Sequence, residues 1–327
     1  MRVLVTGGAG FLGTLLAREL LRRKHILGQP LTDLVLTDLV PPAADLASSR
    51  HVQVRVGPLI EQCTGLATER FDLVFHLAGA VSAECEADFD LGMRSNLDST
   101  RALLEALRAA GNQPRLVFAS SVAVFGSDPG LPLPRVIADD TLPTPQSSYG
   151  TQKFICEQLV ADYTRKGFLD GRSGRLMTVA VRSGRPNGAA SGFLSGIIRE
   201  PLNGIDAICP VPPETAVALA SPSNTIRSLI RLADADRETL GGRIAVNFPA
   251  LTVTVREMLD ALEEVGGAAA RARVHFELDP AVTRIVGGWP AAFAGDRAKH
   301  LGLEPNADFR AIVREFVNET AGVRTDA

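Results

Sequence analysis

A glycine-rich segment at residues 6–13 constrains the possible folds more than any other feature of this 327-residue chain. It separates a short apolar run, residues 3–5, from residues 11–23, whose leucines recur at helical spacing. A strand, a tight glycine turn and a helix in this order form the first unit of a doubly wound sheet. The turn predicts an anion site, because the N–H groups and the dipole of a helix N-terminus favour negative charge.

The spacing of the glycines predicts that this anion is the pyrophosphate of a dinucleotide. Gly7, Gly10 and Gly13 form the pattern GxxGxxG. The pattern suits a tight turn, a close approach of backbone to pyrophosphate and close packing of helix on sheet. A glycine turn that binds no ligand is the alternative, and the strand–turn–helix context argues against it.

Asp38, at the end of the second strand of this unit, indicates which dinucleotide is bound. A carboxylate at this position accepts hydrogen bonds from the adenosine ribose and repels a 2′-phosphate. Residues 39–41 contain no arginine that would attract such a phosphate. The sequence therefore favours NAD over NADP. Asp33 is the competing acid, but it precedes the strand and is expected at the opposite end of the sheet.

The rest of the chain predicts an α/β fold of the Rossmann type, a doubly wound parallel sheet with a smaller C-terminal substrate lobe. Short apolar strands alternate with helices through the first half, a pattern typical of a parallel sheet covered on both faces. The further strands are expected at residues 34–36, 52–56, 73–75, 116–118 and 178–181. Residues 1–182 are assigned to an NAD-binding domain. Residues 183–327 are assigned mainly to the substrate lobe, with about residues 215–250 returning to the large domain.

Composition and charge exclude several other classes of protein. Hydrophobic residues make up 46% and charged residues 22% of the chain, which excludes a disordered or fibrous protein. The net charge of −3, with no basic segment, argues against a nucleic-acid partner. No apolar run reaches the roughly 20 residues that span a bilayer, so no membrane association is expected. The four separated cysteines favour a reducing compartment and a cytoplasmic protein. The five histidines have no metal-ligand spacing, so no metal is expected.

Two groups of polar residues could carry out chemistry on a hydroxyl. Tyr149 and Lys153 share one face of a predicted helix, where the ammonium can stabilise the phenolate of a general acid–base. A surface Tyr–Lys pair is the alternative, and a chance match is reduced because the chain has two tyrosines. Ser120 and Ser121 follow a predicted strand at the edge where open α/β sheets bind ligands. Either hydroxyl could hold the reacting oxygen or simply satisfy a strand end.

The expectations for five further residues are less specific. Ser82 follows the fourth strand and is a candidate contact for substrate hydroxyls. His76 has apolar neighbours and is expected to be a packed core histidine. Arg182 is expected to be a structural ion-pair partner rather than a ligand. Arg199 and Trp289 are candidates for the substrate pocket, but the sequence does not place them.

Together these features resemble the extended short-chain dehydrogenase/reductase family. The matching positions are residues 6–13, 38, 76–79, 96–100, 120–126, 149–153, 247–249 and 301–305. The resemblance implies a catalytic triad of Ser121, Tyr149 and Lys153. It places Asn96 near the nicotinamide or the substrate. Cofactor contacts implied by the same match also include Phe11, Leu12, Leu77, Ala78 and Gly79. Family members commonly form a homodimer through helices matching residues 95–110 and 149–165.

Three departures from the family pattern narrow the reaction. Residues 57–58 are Gly-Pro where the family has Gly-Asp, which leaves the backbone near Leu59 for the adenine. Residues 122–123 are Val-Ala, without the acids of the family's dehydratases. Arg185 stands where family epimerases have asparagine, followed by Asn187, and its guanidinium suits a small carboxylate. Both are assigned to the substrate site.

Within that family, the chain resembles the D-erythronate dehydrogenase branch. This resemblance rests on residues 120–126, 143–153, 196–202, 209–213 and 285–290. It implies NAD-dependent oxidation of the C2 hydroxyl of a four-carbon sugar acid to the 2-oxo acid. A sugar-nucleotide 4-epimerase or reductase on the same fold is one alternative. A non-catalytic NAD-sensing regulator is another, although it would not need the triad.

Overall fold

A seven-stranded parallel sheet forms the centre of the computed structural model, which describes residues 1–184 and 191–325. The strands are β1 (Arg2–Thr6), β2 (His25–Ile26), β3 (Gln29–Pro30), β4 (Asp33–Asp38), β5 (Val52–Val56), β6 (Leu73–His76), β7 (Arg115–Ser121), β8 (Asp170–Leu176), β9 (Thr178–Val179), β10 (Ala207–Cys209), β11 (Ala216–Ala220), β12 (Val246–Asn247), β13 (Leu251–Thr254) and β14 (Val274–Phe276). The α-helices are α1 (Phe11–Arg23), α2 (Ala44–Ala47), α3 (Leu59–Leu66), α4 (Ser82–Ala87), α5 (Phe89–Gly92), α6 (Ser99–Ala110), α7 (Ser148–Arg165), α8 (Gly192–Leu202), α9 (Pro222–Asp234), α10 (Arg237–Leu240), α11 (Val255–Gly266), α12 (Ala268–Arg271), α13 (Pro280–Gly287), α14 (Asp296–His300) and α15 (Phe309–Thr325). A π-helical turn (Met93–Asp98) leads into α6, and a 3₁₀ turn (Val122–Val124) follows β7.

The strand order of the large sheet is β12-β8-β7-β6-β1-β4-β5, and every neighbouring pair is parallel. Successive side chains of β1 enter opposite layers of the core. Val3 and Val5 pack with α1 and α9, whereas Leu4 packs with α3, α6 and α7. The sheet is therefore covered by helices on both faces, and the predicted Rossmann-type fold is confirmed.

A second, smaller core lies in the C-terminal half of the chain. It is built from α8, α11 and α15 and from a three-stranded sheet in the order β13-β11-β9. Leu194, Val217, Leu259 and Ile312 are among its buried members. Part of this half contacts the large sheet, because α9 packs against α1 and β12 pairs with β8. The domain boundary at residue 182 stays a prediction.

Strand β8 corrects the prediction of a strand at residues 178–181. The large sheet instead uses Asp170–Leu176, and only Thr178–Val179 are a strand, in the smaller sheet. β8 lacks an apolar pattern because its buried positions include two arginines. Arg172 is buried and donates to carbonyl groups at the end of α9, while its second nitrogen bonds Asp170.

The second of these arginines forms a buried ion pair with helix α7. Glu157 accepts hydrogen bonds from Arg175 Nε at 3.0 Å and Nη2 at 2.8 Å. It also accepts one from Ser120 Oγ at 2.5 Å. Arg175 Nη1 in turn donates to Asn247 Oδ1 at 3.3 Å. The network joins α7 to strands β7, β8 and β12.

None of the helices in the described part of the chain is long and apolar enough to span a membrane.

Replacing Glu157 with Gln should lower the free energy of unfolding by about 3 to 5 kcal/mol, because it leaves the buried Arg175 guanidinium without a counterion. Asp162→Asn is the matched control on the same helix. It removes an exposed ion pair with Arg165, worth less than about 1 kcal/mol. Urea denaturation measures both. Equal stability of the two variants would contradict the structural role of the buried pair.

Candidate active site

A cleft of about 1190 Å³ lies at the C-terminal edge of the large sheet. One side is formed by the glycine-rich turn, the ends of β6 and β7 and the start of α7. The other side is formed by α8, α13 and strands of the smaller sheet. Its volume exceeds the roughly 300–1,000 Å³ typical of a site for one small ligand. The cleft can therefore hold a dinucleotide together with a small substrate.

The glycine-rich turn has the geometry that a pyrophosphate requires. Gly7 has φ of +73°, and a Cβ there would come within 2.7 Å of the Ala78 nitrogen. A Cβ on Gly13 would lie 2.0 Å from the Gly7 oxygen. Among the described residues, the N–H groups of Phe11, Leu12 and Gly13 have no partner, and the first turn of α1 has no acid. These open donors fit the pyrophosphate of NAD.

Asp38 lies beside the same turn. Its Oδ2 accepts from the N–H groups of Ala9 at 2.9 Å and Gly10 at 3.2 Å. Its Oδ1 accepts from the N–H of Leu39 at 2.6 Å. The carboxylate is thus held in one orientation next to the cofactor side of the cleft. Asp33 begins the same strand and lies at its opposite end.

Most of the predicted cofactor residues line the cleft. These are Gly7, Gly10, Phe11, Leu12, Gly13, Leu77, Gly79, Tyr149 and Lys153. The other four, Asp38, Leu59, Ala78 and Asn96, do not line it. Leu59 begins α3 and packs into the core.

Asn96 lies directly behind the cleft wall. Its amide nitrogen donates to Gln152 Oε1 at 2.8 Å. Its Oδ1 is buried and has no hydrogen-bond partner within the described part of the chain. A Cβ on the cleft-lining Gly79 would come within 2.6 Å of this oxygen. A residue with a side chain at position 79 would therefore collide with Asn96, and glycine avoids this.

Three side chains predicted to be catalytic reach the same cleft. Tyr149 and Lys153 lie one turn apart on α7, with the Lys153 Nζ 5.7 Å from the Tyr149 ring centroid. Lys153 is buried, and its Nζ donates to the Ala119 carbonyl at 2.9 Å. Ser121 ends β7, and its Oγ accepts from the Ala123 N–H at 3.1 Å. The structure thus brings a phenol, an ammonium and a hydroxyl together in one cleft.

Two nearby polar side chains are bonded to core residues, although Ser120 also lines the cleft. The Ser120 hydroxyl is bonded to Glu157, so Ser121 is the better placed of the two serines. His76 is buried between Thr6 and Thr100, at 2.6 and 2.8 Å, and does not line the cleft. Burial, followed by the charge of Lys153, lowers the pKa of His76 to about 3. The imidazole is therefore neutral at physiological pH.

The opposite wall of the cleft carries several residues that the sequence did not place. Arg199 and Trp289 both line it. Arg284 also lines it and was not predicted, although it directly precedes the matching segment 285–290.

Ser82 lines the cleft near the end of β6. Arg182 lines it too, and no acid among the described residues lies within ion-pair distance, so the expectation of a structural ion pair is wrong. The predicted substrate residues Arg185 and Asn187 lie outside the described residues.

Comparison with known proteins identifies the family. Residues 3–214 match the NAD dependent epimerase/dehydratase family. The chain belongs to this family. Proteins named D-erythronate dehydrogenase from Cupriavidus necator and Haemophilus influenzae are 49% and 40% identical to it. The alignments cover 99% of this chain and 99% of the first relative, and 97% of this chain and 99% of the second.

The structural comparison agrees with the family. A solved structure of a nucleoside-diphosphate-sugar epimerase from Agrobacterium tumefaciens has a TM-score of 0.93 and 40% sequence identity. The match covers 98% of this chain and 95% of that chain. The family resemblance and the cofactor predicted from the sequence are confirmed. This family member is an NAD-dependent oxidoreductase.

Replacing Asp38 with Asn should reduce the preference for NAD over NADP about tenfold, since the amide no longer repels a 2′-phosphate. The amide oxygen can still accept from the N–H groups of Ala9 and Gly10, so the turn is expected to keep its shape, and the bond from the Leu39 N–H is the one that is lost. Dissociation constants of both dinucleotides, measured by calorimetry, give the ratio. Asp33→Asn, at the other end of β4, is the control. An unchanged ratio in Asp38→Asn would show that this carboxylate does not select the cofactor.

Proposed function

We propose that this protein oxidises the C2 hydroxyl of D-erythronate to the 2-oxo acid, with NAD as the electron acceptor. The observation that carries the proposal is the convergence of Ser121, Tyr149 and Lys153 in one cleft with an open glycine turn. The names of two relatives that match over nearly the whole chain support the choice of substrate.

Each side chain of the cleft has a separate role in the reaction. NAD, when bound, would supply the acceptor for the hydride that leaves C2, while the hydroxyl proton goes to Tyr149. The N-terminus of α1 holds its pyrophosphate, and Asp38 accepts hydrogen bonds from its ribose. Tyr149 removes the proton from the substrate hydroxyl as general base. Ser121 donates a hydrogen bond to the reacting oxygen and keeps it beside Tyr149.

Lys153 stabilises the phenolate form of Tyr149 electrostatically. Its ammonium is buried, and no acidic side chain in the described residues pairs with it. The nearest acid along α7, Glu157, is already bonded to Arg175. The positive charge therefore remains available to the phenolate, and burial strengthens the interaction by lowering the local dielectric constant.

A sugar-nucleotide epimerase is the second candidate, because the Agrobacterium protein of known structure is named for that activity. The two relatives named as dehydrogenases favour the first candidate, since one of them is more similar to this chain. An NAD-sensing regulator would bind the cofactor without turnover, and it would not require the three converging side chains.

A homodimer formed through the helices at residues 95–110 and 149–165, and a cytoplasmic location, stay predictions drawn from the sequence.

D-erythronate should reduce NAD when mixed with the purified protein, and the increase in NADH absorbance measures this. L-threonate and D-threonate serve as stereochemical controls and should react far more slowly. Binding of UDP-glucose without oxidation of any of the three acids would instead support the epimerase. Binding of NAD without oxidation of any of the acids and without binding of UDP-glucose would favour the regulator.

Tyr149→Phe should lower kcat by about 10² to 10⁴-fold, because it removes the general base, and it should leave the Kd of NAD nearly unchanged. Tyr163→Phe is the matched control, since it changes the other tyrosine of the same helix. Tyr163 bonds Glu105 away from the cleft, and burial and that bond raise its pKa to about 12. Steady-state kinetics and calorimetry provide the two readouts. Full activity of Tyr149→Phe would exclude the proposed mechanism.

A further inference from the structure

Arg182 lies on the wall of the cleft that α8, α13 and the smaller sheet form. Both its backbone N–H and its backbone carbonyl are hydrogen-bonded. Its N–H donates to Ser195 Oγ at 3.1 Å, and its carbonyl accepts from Arg199 Nη1 at 2.8 Å. Both partners belong to helix α8 and are buried. Arg182 therefore lines the cleft from a fixed backbone position.

The guanidinium of Arg182 has no counterion among the described residues. The neighbouring Arg199 is paired with Glu200 at 2.6 Å, whereas no acid in the described part of the chain lies within ion-pair distance of Arg182. Burial, followed by the charge of Arg199, lowers the pKa of Arg182. A half-buried cation without a partner is costly, and an anionic ligand would offset that cost.

The charges around the cleft favour an anion on this wall. Glu86 is the one acid among the described residues that line the cleft, and it is exposed. Its carboxylate accepts from the N–H of Ser148 at 2.6 Å, on the side of α7. The wall that carries Arg182 also carries Arg284. The arginines that line the cleft in the described part of the chain therefore lie on the wall across from Tyr149 and Ser121, and Lys153 is the cation on the other side.

We propose that Arg182 binds the carboxylate of the substrate. Its planar fork of N–H donors can hold both carboxylate oxygens, which places the adjoining C2 hydroxyl toward the far wall, where Tyr149 and Ser121 lie. This inference rests on the proposed function. It assigns to Arg182 the contact that the sequence pattern suggested for Arg185.

The test measures binding separately from turnover. In the Tyr149→Phe background, with NAD saturating, D-erythronate is titrated by calorimetry into the parent, Arg182→Gln, Arg182→Lys and Arg185→Gln. Arg256→Gln is the matched control, because Arg256 is exposed on the same lobe and pairs with Glu214 outside the cleft. Erythritol, which has four carbons and no carboxylate, is the neutral ligand.

Arg182→Gln should weaken D-erythronate binding about 10- to 100-fold and leave the Kd of NAD unchanged. Arg182→Lys should recover part of the loss, because it restores the charge without the fork. Arg256→Gln should bind as the parent does, and erythritol should bind all variants equally weakly. An unchanged NAD affinity shows that the variants are folded.

Two other results would overturn the inference, and they differ in what they say of the proposed function. In the first, the wild-type protein oxidises D-erythronate, but Arg182→Gln binds it as tightly as the parent does, or Arg185→Gln is the one variant that loses D-erythronate binding. In that case only the role of Arg182 is wrong. If the wild-type protein neither binds nor oxidises D-erythronate but binds UDP-glucose, both the proposed function and the carboxylate contact are wrong.

Discussion

The ion pair between Glu157 and Arg175 is the interaction on which the geometry of the active site depends. Both side chains are buried, so each loses hydration free energy on folding. This loss is offset only when the partner and its hydrogen bonds are in place. Glu157 lies one turn beyond Lys153 on α7, and the Ser120 that it binds precedes Ser121 on β7. A single polar network thus fixes the helix that carries Tyr149 and Lys153 relative to the strand that carries Ser121.

The cofactor side of the cleft depends on a different kind of constraint. There the backbone does the positioning, because Gly7 and Gly13 allow the turn to approach the sheet more closely than any side chain would permit. Asp38 connects the turn to β4 through two backbone N–H groups. The two sides therefore respond differently to mutation: a Cβ added to the turn changes its shape, whereas a change in the buried network alters the position of α7.

Sequence patterns predicted the parts of the fold that depend on local chemistry. The predicted limits of α1 and α7 lie within one residue of those observed, and in α1 the apolar residues recur at helical spacing. Strand β8 could not be predicted in this way, since the burial of Arg172 depends on carbonyl groups about 60 residues later, at the end of α9. The cleft position of Arg182 likewise depends on contacts with α8, which a local pattern does not contain.

The three proposed catalytic residues alone would not select the substrate. A phenolate, an ammonium and a hydroxyl can remove a proton from any secondary alcohol placed beside them. Selection then depends on the wall formed by α8, α13 and the smaller sheet, which carries Trp289 and Arg182, a guanidinium with no ion-pair partner among the described residues. Residues 122–123, beside Ser121, provide no acid that could eliminate water. The planar fork of an arginine in the cleft matches the two oxygens of the carboxylate in the proposed hydroxy acid.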